Sequence, residues 1–336
     1  MSALLEVEQL DVRVPVSGGI LHPVCGVSLS VGRGDMLCIV GESGCGKSLT
    51  SLALMNLLPA RAQRSAQKLV YDGTDLLRLD ERAMSDLRGN AMAMIFQEPM
   101  TSLNPCYTIG TQLTETLRRH RRVTQRAARE HAVELLEKVG ITGAADRLSQ
   151  YPHQLSGGLR QRVMMAMALM CGPKLLIADE PTTALDVTVQ AQILHLLASL
   201  RRELHMAVIL ITHDLGIVAR VGTHAAVMYA GEIVETGTAA EVFARPAHPY
   251  TQGLLRCVPV PGRTRRRAQL GSIPGLVPSL IGDPQGCAFR NRCSYAFAEC
   301  ASTRVTLAEI SPGRSYRCLL SPERLSETAL AEPTGT

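Results

Sequence analysis

The residues Gly41-Glu42-Ser43-Gly44-Cys45-Gly46-Lys47-Ser48 carry the spacing G-x-x-x-x-G-K-S, which suits a phosphate cradle. Glycines at 41, 44 and 46 let the backbone turn sharply and present its N–H groups to phosphate oxygens. Lys47 adds a point charge for β- and γ-phosphates and the Ser48 hydroxyl a ligand for Mg²⁺, at the positive end of a helix that continues through Leu49. A second feature, Leu175-Leu176-Ile177-Ala178-Asp179-Glu180, is an apolar run ending in two carboxylates. Asp179 can hold Mg²⁺ through water, and Glu180, one residue on, can orient or deprotonate an attacking water. Phosphate loops serve kinases, GTPases, helicases and transport motors alike, so the loop alone chooses no activity.

An α/β fold must position these groups. Met36 to Val40 reads as a buried parallel strand and Ser48 to Leu58 as a helix stopped by Pro59. Residues 4–14 and 24–31 alternate as half-buried antiparallel strands, and residues 68–71 and 91–96 read as further strands. The spacing predicts a helix over 80–87 opening at a capping Asp80. From Thr111 to about Gly140 charges and leucines recur at helical spacing, as in an inserted helical lobe. Strand 174–178, helix 187–204 and strand 207–211 restore a parallel sheet; a hairpin of 225–229 with 232–235 and a helix over 239–244 follow. Beyond about Pro259 the chain is irregular and rich in Gly, Pro and Arg.

Composition narrows the class. The chain has 336 residues, 3% aromatics and no Trp, enough for two compact units, or for one large α/β domain with an appendix, around an aliphatic core. No run approaches the roughly eighteen apolar residues of a membrane span, and the N-terminus lacks the basic and apolar regions of a signal peptide. A cytosolic protein able to dock on membrane proteins is expected. The net charge of +5 is modest, and the run Arg263-Thr264-Arg265-Arg266-Arg267 reads as a solvated linker rather than a nucleic-acid site.

Four further elements stand in order around the loop and the acidic strand: Gln97, Leu155-Ser156-Gly157-Gly158-Leu159-Arg160-Gln161-Arg162, Ala184-Leu185-Asp186 and Ile211-Thr212-His213-Asp214. The set resembles the ATP-binding-cassette (ABC) ATPases over residues 1 to about 258, with Q-loop, signature, D-loop and switch histidine in that order. The resemblance implies a P-loop fold with a mixed sheet core, an antiparallel β subdomain and a helical subdomain over about 98–172. Ser156, Gly157, Gly158 and Gln161, ahead of an apolar helix over 163–170, would meet the γ-phosphate held by a partner's loop, so ATP joins two ATPase subunits head to tail. His213 would contact the γ-phosphate and position the water with Glu180, Asp186 would be a further nucleotide contact, and Gln97 with Ser48 and Asp179 would serve Mg²⁺. Leu159 stands where the family usually has Gln. No aromatic residue precedes Tyr71 to stack on adenine; Leu21 or His22 falls near the corresponding place, and His22 is the candidate base contact.

Gln97-Glu98-Pro99-Met100-Thr101-Ser102-Leu103-Asn104-Pro105 and His248-Pro249-Tyr250-Thr251-Gln252 resemble the ATPases of bacterial dipeptide and oligopeptide importers, a group that also handles nickel. This implies work at the cytoplasmic face of the inner membrane with two permease subunits, an extracytoplasmic solute-binding protein and a second, non-identical ATPase. Residues 259–336 would form the family's C-terminal extension. Cys287, Cys293, Cys300 and Cys318 suit zinc or an iron–sulfur cluster, or are unliganded thiols; the resemblance implies a [4Fe-4S] cluster. The alternatives are a soluble cassette ATPase outside transport and an iron–sulfur regulatory module with a nucleotide switch. Neither two cassettes nor a long coiled-coil insertion is present, against the first, and Glu180 with His213 argues against the second.

Overall fold

The computed structural model describes residues 3–98, 102–183, 185–258, 272–282 and 285–325. Strands β1 (Leu5–Val16) and β2 (Gly19–Val31) alternate buried and exposed side chains, whereas every residue of β3 (Met36–Val40) is buried. Helix α1 (Lys47–Leu54) follows, then β4 (Gln63–Ser65), β5 (Lys68–Tyr71) and β6 (Thr74–Asp75). The Asp80 carboxylate accepts the Ala83 N–H and so opens α2 (Glu81–Leu87), ahead of β7 (Met92–Ile95). Thr108 and Thr124 cap α3 (Ile109–His120) and α4 (Gln125–Lys138) in the same way, and α5 (Ala144–Arg147) is a single turn.

Next come α6 (Gly157–Leu169), β8 (Leu175–Asp179), α7 (Val187–Leu204), β9 (Ala207–Thr212) and α8 (Leu215–Val221). The chain continues through β10 (His224–Tyr229), β11 (Glu232–Thr238), α9 (Ala239–Ala244) and α10 (Pro249–Arg256). In the tail lie α11 (Glu299–Ser302), β12 (Ala308–Ser311) and β13 (Arg314–Tyr316).

The chain divides into two compact units. The first comprises Met1–Leu5, Val31–Met36 and Tyr71–Ile211. Its parallel ladder runs β7 to β8 to β9, with Ile95 opposite Ala178 and Asp179 opposite Ile211, so the carboxyl ends of β7 and β8 share one edge. Apolar residues one helical turn apart, Ile109, Leu113 and Leu117 on α3 and Ala128, Ala132 and Leu135 on α4, are buried where α3, α4 and α6 pack on one another.

The second unit comprises Glu6–Ser30, Leu37–Val70 and Thr212–Thr336. Here β3 pairs parallel with β10, β10 turns into antiparallel β11, and the tail adds β13 and then β12 to that edge. In the remaining sheet β2 neighbours β1, and β4 pairs antiparallel with β1. Although aromatics make up only 3% of the chain, Tyr229, Tyr250 and Phe289 gather in this unit with ring centroids 4.6 to 5.4 Å apart.

Several expectations are adjusted. α1 ends at Leu54, short of the Leu58 expected, because Asn56 takes a left-handed conformation with φ of 53° before Pro59 is reached. α6 begins at Gly157 rather than Val163, since the Ser156 hydroxyl accepts the Leu159 N–H and sets the start of the helix. α10 was not foreseen; Pro249 occupies its first turn, where a missing N–H costs nothing. The tail is not wholly irregular, as β12 and β13 turn at Gly313, whose φ is 78°. The basic run 263–267, the domain boundary expected near 260, Pro99-Met100-Thr101 of the importer-like segment and Ala184 of the D-loop lie outside the described residues.

Candidate functional site

The phosphate loop belongs to the second unit, between β3 and α1. Gly41 and Gly46 cannot be replaced without damage: a Cβ at Gly41 would strike the Met228 carbonyl, and one at Gly46, where φ is 105°, the Pro23 carbonyl. Both backbones are therefore seated against β10 and β2. Cys45 is fully buried beneath the loop, and burial pushes its thiol above the usual range. Lys47 is 4% exposed, and its Nζ donates to the Gly41 and Glu42 carbonyls, at 2.9 Å each. The ammonium is thus held against the concave side of the loop by the loop's own backbone. Ser43 and Gly44 are exposed at its lip, while Ser48 and Leu49 are half-buried on α1.

Glu42 is fixed by residues far away in sequence. Its N–H donates to the Tyr250 hydroxyl at 2.9 Å, and its carboxylate meets the Arg292 guanidinium in a two-pronged ion pair, 2.6 and 2.9 Å. Tyr250 is held in turn by α10, whose cap is the His248 Nδ1 accepting the Tyr250 N–H. His248 is completely buried, and that burial drives its pKa down to about 3, so the ring is neutral. The fully buried Glu235 carboxylate accepts the Ala247 and His248 N–H groups at 2.8 and 3.0 Å and fixes the entry to α10.

His22, the candidate base contact, is half-buried, and its N–H donates to the Leu280 carbonyl of the tail. His213 follows β9 and is exposed; the next residue, Asp214, caps α8 by accepting the Gly216 and Ile217 N–H groups.

In the first unit the structure brings Gln97 and Glu180 together. Gln97 Nε2 donates to Glu180 Oε2 at 3.3 Å, and the Thr183 hydroxyl donates to the same oxygen at 2.9 Å. Parallel pairing of β7 with β8 explains the meeting, since each residue follows the carboxyl end of its strand. Asp179 is the last residue of β8 and is buried, whereas Glu180 leaves the strand with φ of 43° and turns its side chain toward Gln97.

Ser156 and Gly157 are exposed at the start of α6, and a Cβ on Gly158 would press on Val189 Cγ1 at 3.1 Å. The helix that carries Val189 opens at Asp186, whose carboxylate accepts the Val189 N–H at 2.9 Å. Signature and D-loop residues are therefore neighbours within this unit. Gln161, one helical turn after Gly157 on α6, is 1% exposed.

Cys287, Cys293, Cys300 and Cys318 line one cavity together with Phe289 and His248. Burial raises the thiols of Cys287 and Cys318 above their ordinary values and pushes Cys293 up to about 11. Among the described residues no three His, Cys, Asp or Glu side chains are grouped as ligands for a single ion. None of the ten cysteines is in a disulfide.

Tyr250, Arg292 and Glu235 went unassigned by sequence reading. Tyr250 lay inside a segment flagged only for its family resemblance. Arg292 stands 250 positions from the residue it grips, and no local pattern signals such a pair.

Comparison with known proteins adds three findings. A family model described as ABC transporter matches residues 24–183, and one described as the oligopeptide/dipeptide transporter C-terminal region matches 234–300. A dipeptide transport ATP-binding protein of Escherichia coli is 48% identical over 94% of this chain and 96% of its own length. A dipeptide transport ATP-binding protein of Bacillus subtilis is 45% identical over 98% of each. Among solved structures, a dimeric ATP-binding cassette, MJ0796, bound to ADP and Pi aligns with a TM-score of 0.63 and 25% identity, covering 70% of this chain and 98% of that one.

Proposed function

Because the chain belongs to the ATP-binding subunits of ABC transporters of the dipeptide and oligopeptide class, we propose that it hydrolyses ATP to power peptide import through an inner-membrane complex. The observation that carries this reading is the succession, in one chain, of a cassette and the peptide-transporter C-terminal region. No described helix is long and apolar enough to cross a membrane, so the translocation path belongs to permease subunits. The chain works peripherally on their cytoplasmic face, with a solute-binding protein outside and a second, non-identical ATPase beside it.

Each site residue then has a role. The N–H groups of the loop from Gly41 to Gly46 and the Lys47 ammonium bind and orient the β- and γ-phosphates. Ser48, Gln97 and Asp179 are the residues offered to Mg²⁺, which when bound neutralises phosphate charge. Glu180 takes the proton of the attacking water, and Gln97, already bonded to that carboxylate, links its position to the helical lobe that follows. His213 contacts the γ-phosphate. Ser156, Gly157 and Gly158, at the start of α6, complete the site of the partner subunit, and Asp186 meets the partner across the same interface. His22 is the base contact. Residues 1–258 act as the cassette, with about 98–172 as its helical part, and 259–336 as the extension.

The four cysteines of the extension are proposed to hold a [4Fe-4S] cluster. The four cysteines line one cavity with no Asp or Glu among its lining residues, the donor chemistry such a group takes. When bound it cross-links the extension. The chain's part is to exclude water with Phe289 and to bring the four sulfurs together.

The experiment is co-expression with the neighbouring permease and ATPase genes and reconstitution into liposomes. ATP hydrolysis is expected to rise when a peptide-loaded binding protein is added. A chain that neither co-purifies with permeases nor responds to the loaded binding protein would overturn the transport reading.

A further inference from the structure

We infer that Arg292 of the cysteine-rich tail is a positioning residue for the phosphate loop, so that the tail sets the affinity of the cassette for ATP. The inference rests on the nucleotide reading above and concerns a residue to which that reading assigns nothing. The Arg292 side chain is 4% exposed and every arm of its guanidinium is engaged. Nε donates to the Pro274 carbonyl at 2.9 Å, and Nη2 to the Ile273 carbonyl at 3.1 Å. Nη1 reaches the Tyr229 hydroxyl at 3.4 Å, and both terminal nitrogens grip the Glu42 carboxylate. The guanidinium carbon also lies 5.7 Å from the centre of the Tyr229 ring. A planar fork held this way has one orientation, and it passes that orientation to Glu42.

Glu42 is thereby held at three points: its carboxylate by Arg292, its N–H by the Tyr250 hydroxyl, and its carbonyl by the Lys47 ammonium. The last bond carries the effect into the site. The amine that meets the phosphates is aimed by the Gly41 and Glu42 carbonyls, so the tail acts on Lys47 through Glu42. Charge works in the same direction. Arg292 neutralises a carboxylate that would otherwise stand bare on a loop built for an anion.

Binding of MgATP to the full-length chain, with KM and kcat of the reconstituted transporter, tests the inference. Arg292→Met is expected to raise the Kd for MgATP about tenfold while kcat at saturating ATP stays within about twofold, because the group acts on binding and not on the attacking water. Adding Glu42→Gln to Arg292→Met should return only the part of the loss that the bare charge causes, and the part caused by lost orientation should remain. A scaffold role alone would lower the melting temperature and the active fraction and leave the Kd of the folded fraction unchanged. If Arg292→Met does not fold, Arg292→Lys, which keeps the charge and loses the fork, should raise the Kd about threefold. A Kd unchanged in the folded variant overturns the inference alone. A wild-type chain that does not bind MgATP overturns the nucleotide reading and this inference together.

Discussion

Gln97 Nε2 donates a hydrogen bond to Glu180 Oε2 at 3.3 Å, across 83 residues of chain, and the Thr183 hydroxyl holds the same oxygen at 2.9 Å. The carboxylate assigned to the attacking water is thus tied to the residue that follows β7. Replacing Glu180 with Gln keeps the shape of this contact and removes the base. ATP binding should be unchanged and turnover should fall by about 10² to 10³, read as phosphate release at saturating ATP. Turnover near wild type would remove Glu180 from the role of base.

The loop glycines give a second prediction. Gly46→Ala places a methyl group on the Pro23 carbonyl at a φ of 105°, which β2 cannot relieve without moving. The variant should lose measurable ATP binding and melt at a lower temperature, whereas Gly44→Ala, with nothing within 4 Å of its Cβ, should be milder. Equal effects at the two positions would contradict the seating of the loop on β2. Lys47→Ala should weaken ATP binding without the loss in melting temperature, because its amine contacts lie within the loop itself, to the Gly41 and Glu42 carbonyls and the Cys45 thiol.

For the cysteine cavity, anaerobic purification should yield a brown protein with about four irons and four sulfides per chain. Cys293→Ser should remove most of the colour. Stoichiometric zinc in a colourless protein would overturn the cluster.

Burial of His248 makes stability depend on pH. Its folded pKa of about 3 lies below the unfolded value of 6.5, so below pH 6.5 the unfolded chain takes up a proton that the folded chain refuses, and stability falls with pH. From pH 6.5 to 5.5 the loss from this residue should be about 1 kcal/mol, measured by urea unfolding. Glu235 beside it works the opposite way, because burial raises its carboxyl. The comparison is therefore wild type against His248→Gln, which keeps Glu235; identical pH dependence in the two would refute a buried neutral histidine.

Much of the site was legible because phosphate chemistry demands particular residues at short, fixed spacing. The loop 41–48, the strand ending in Asp179 and Glu180, and β3, β5, α7 and α9 could be read locally, since caps, breakers and apolar runs act over a few residues. The burial of Gln161 was not legible, because membership of the signature segment says nothing about which side of α6 a residue faces.

The sequence by itself determined that a phosphate cradle, a paired-carboxylate strand and a signature helix are present, because each is a local arrangement of backbone and side chain. Only the tertiary structure decided what holds them. Strand pairing carries Gln97 to Glu180, and packing of Tyr229, Tyr250 and Phe289 brings α10 and the tail up to Glu42. Arg292 and Glu42 are 250 residues apart, and an ion pair at that separation leaves no periodicity or spacing to read. It exists only once the chain between them has folded.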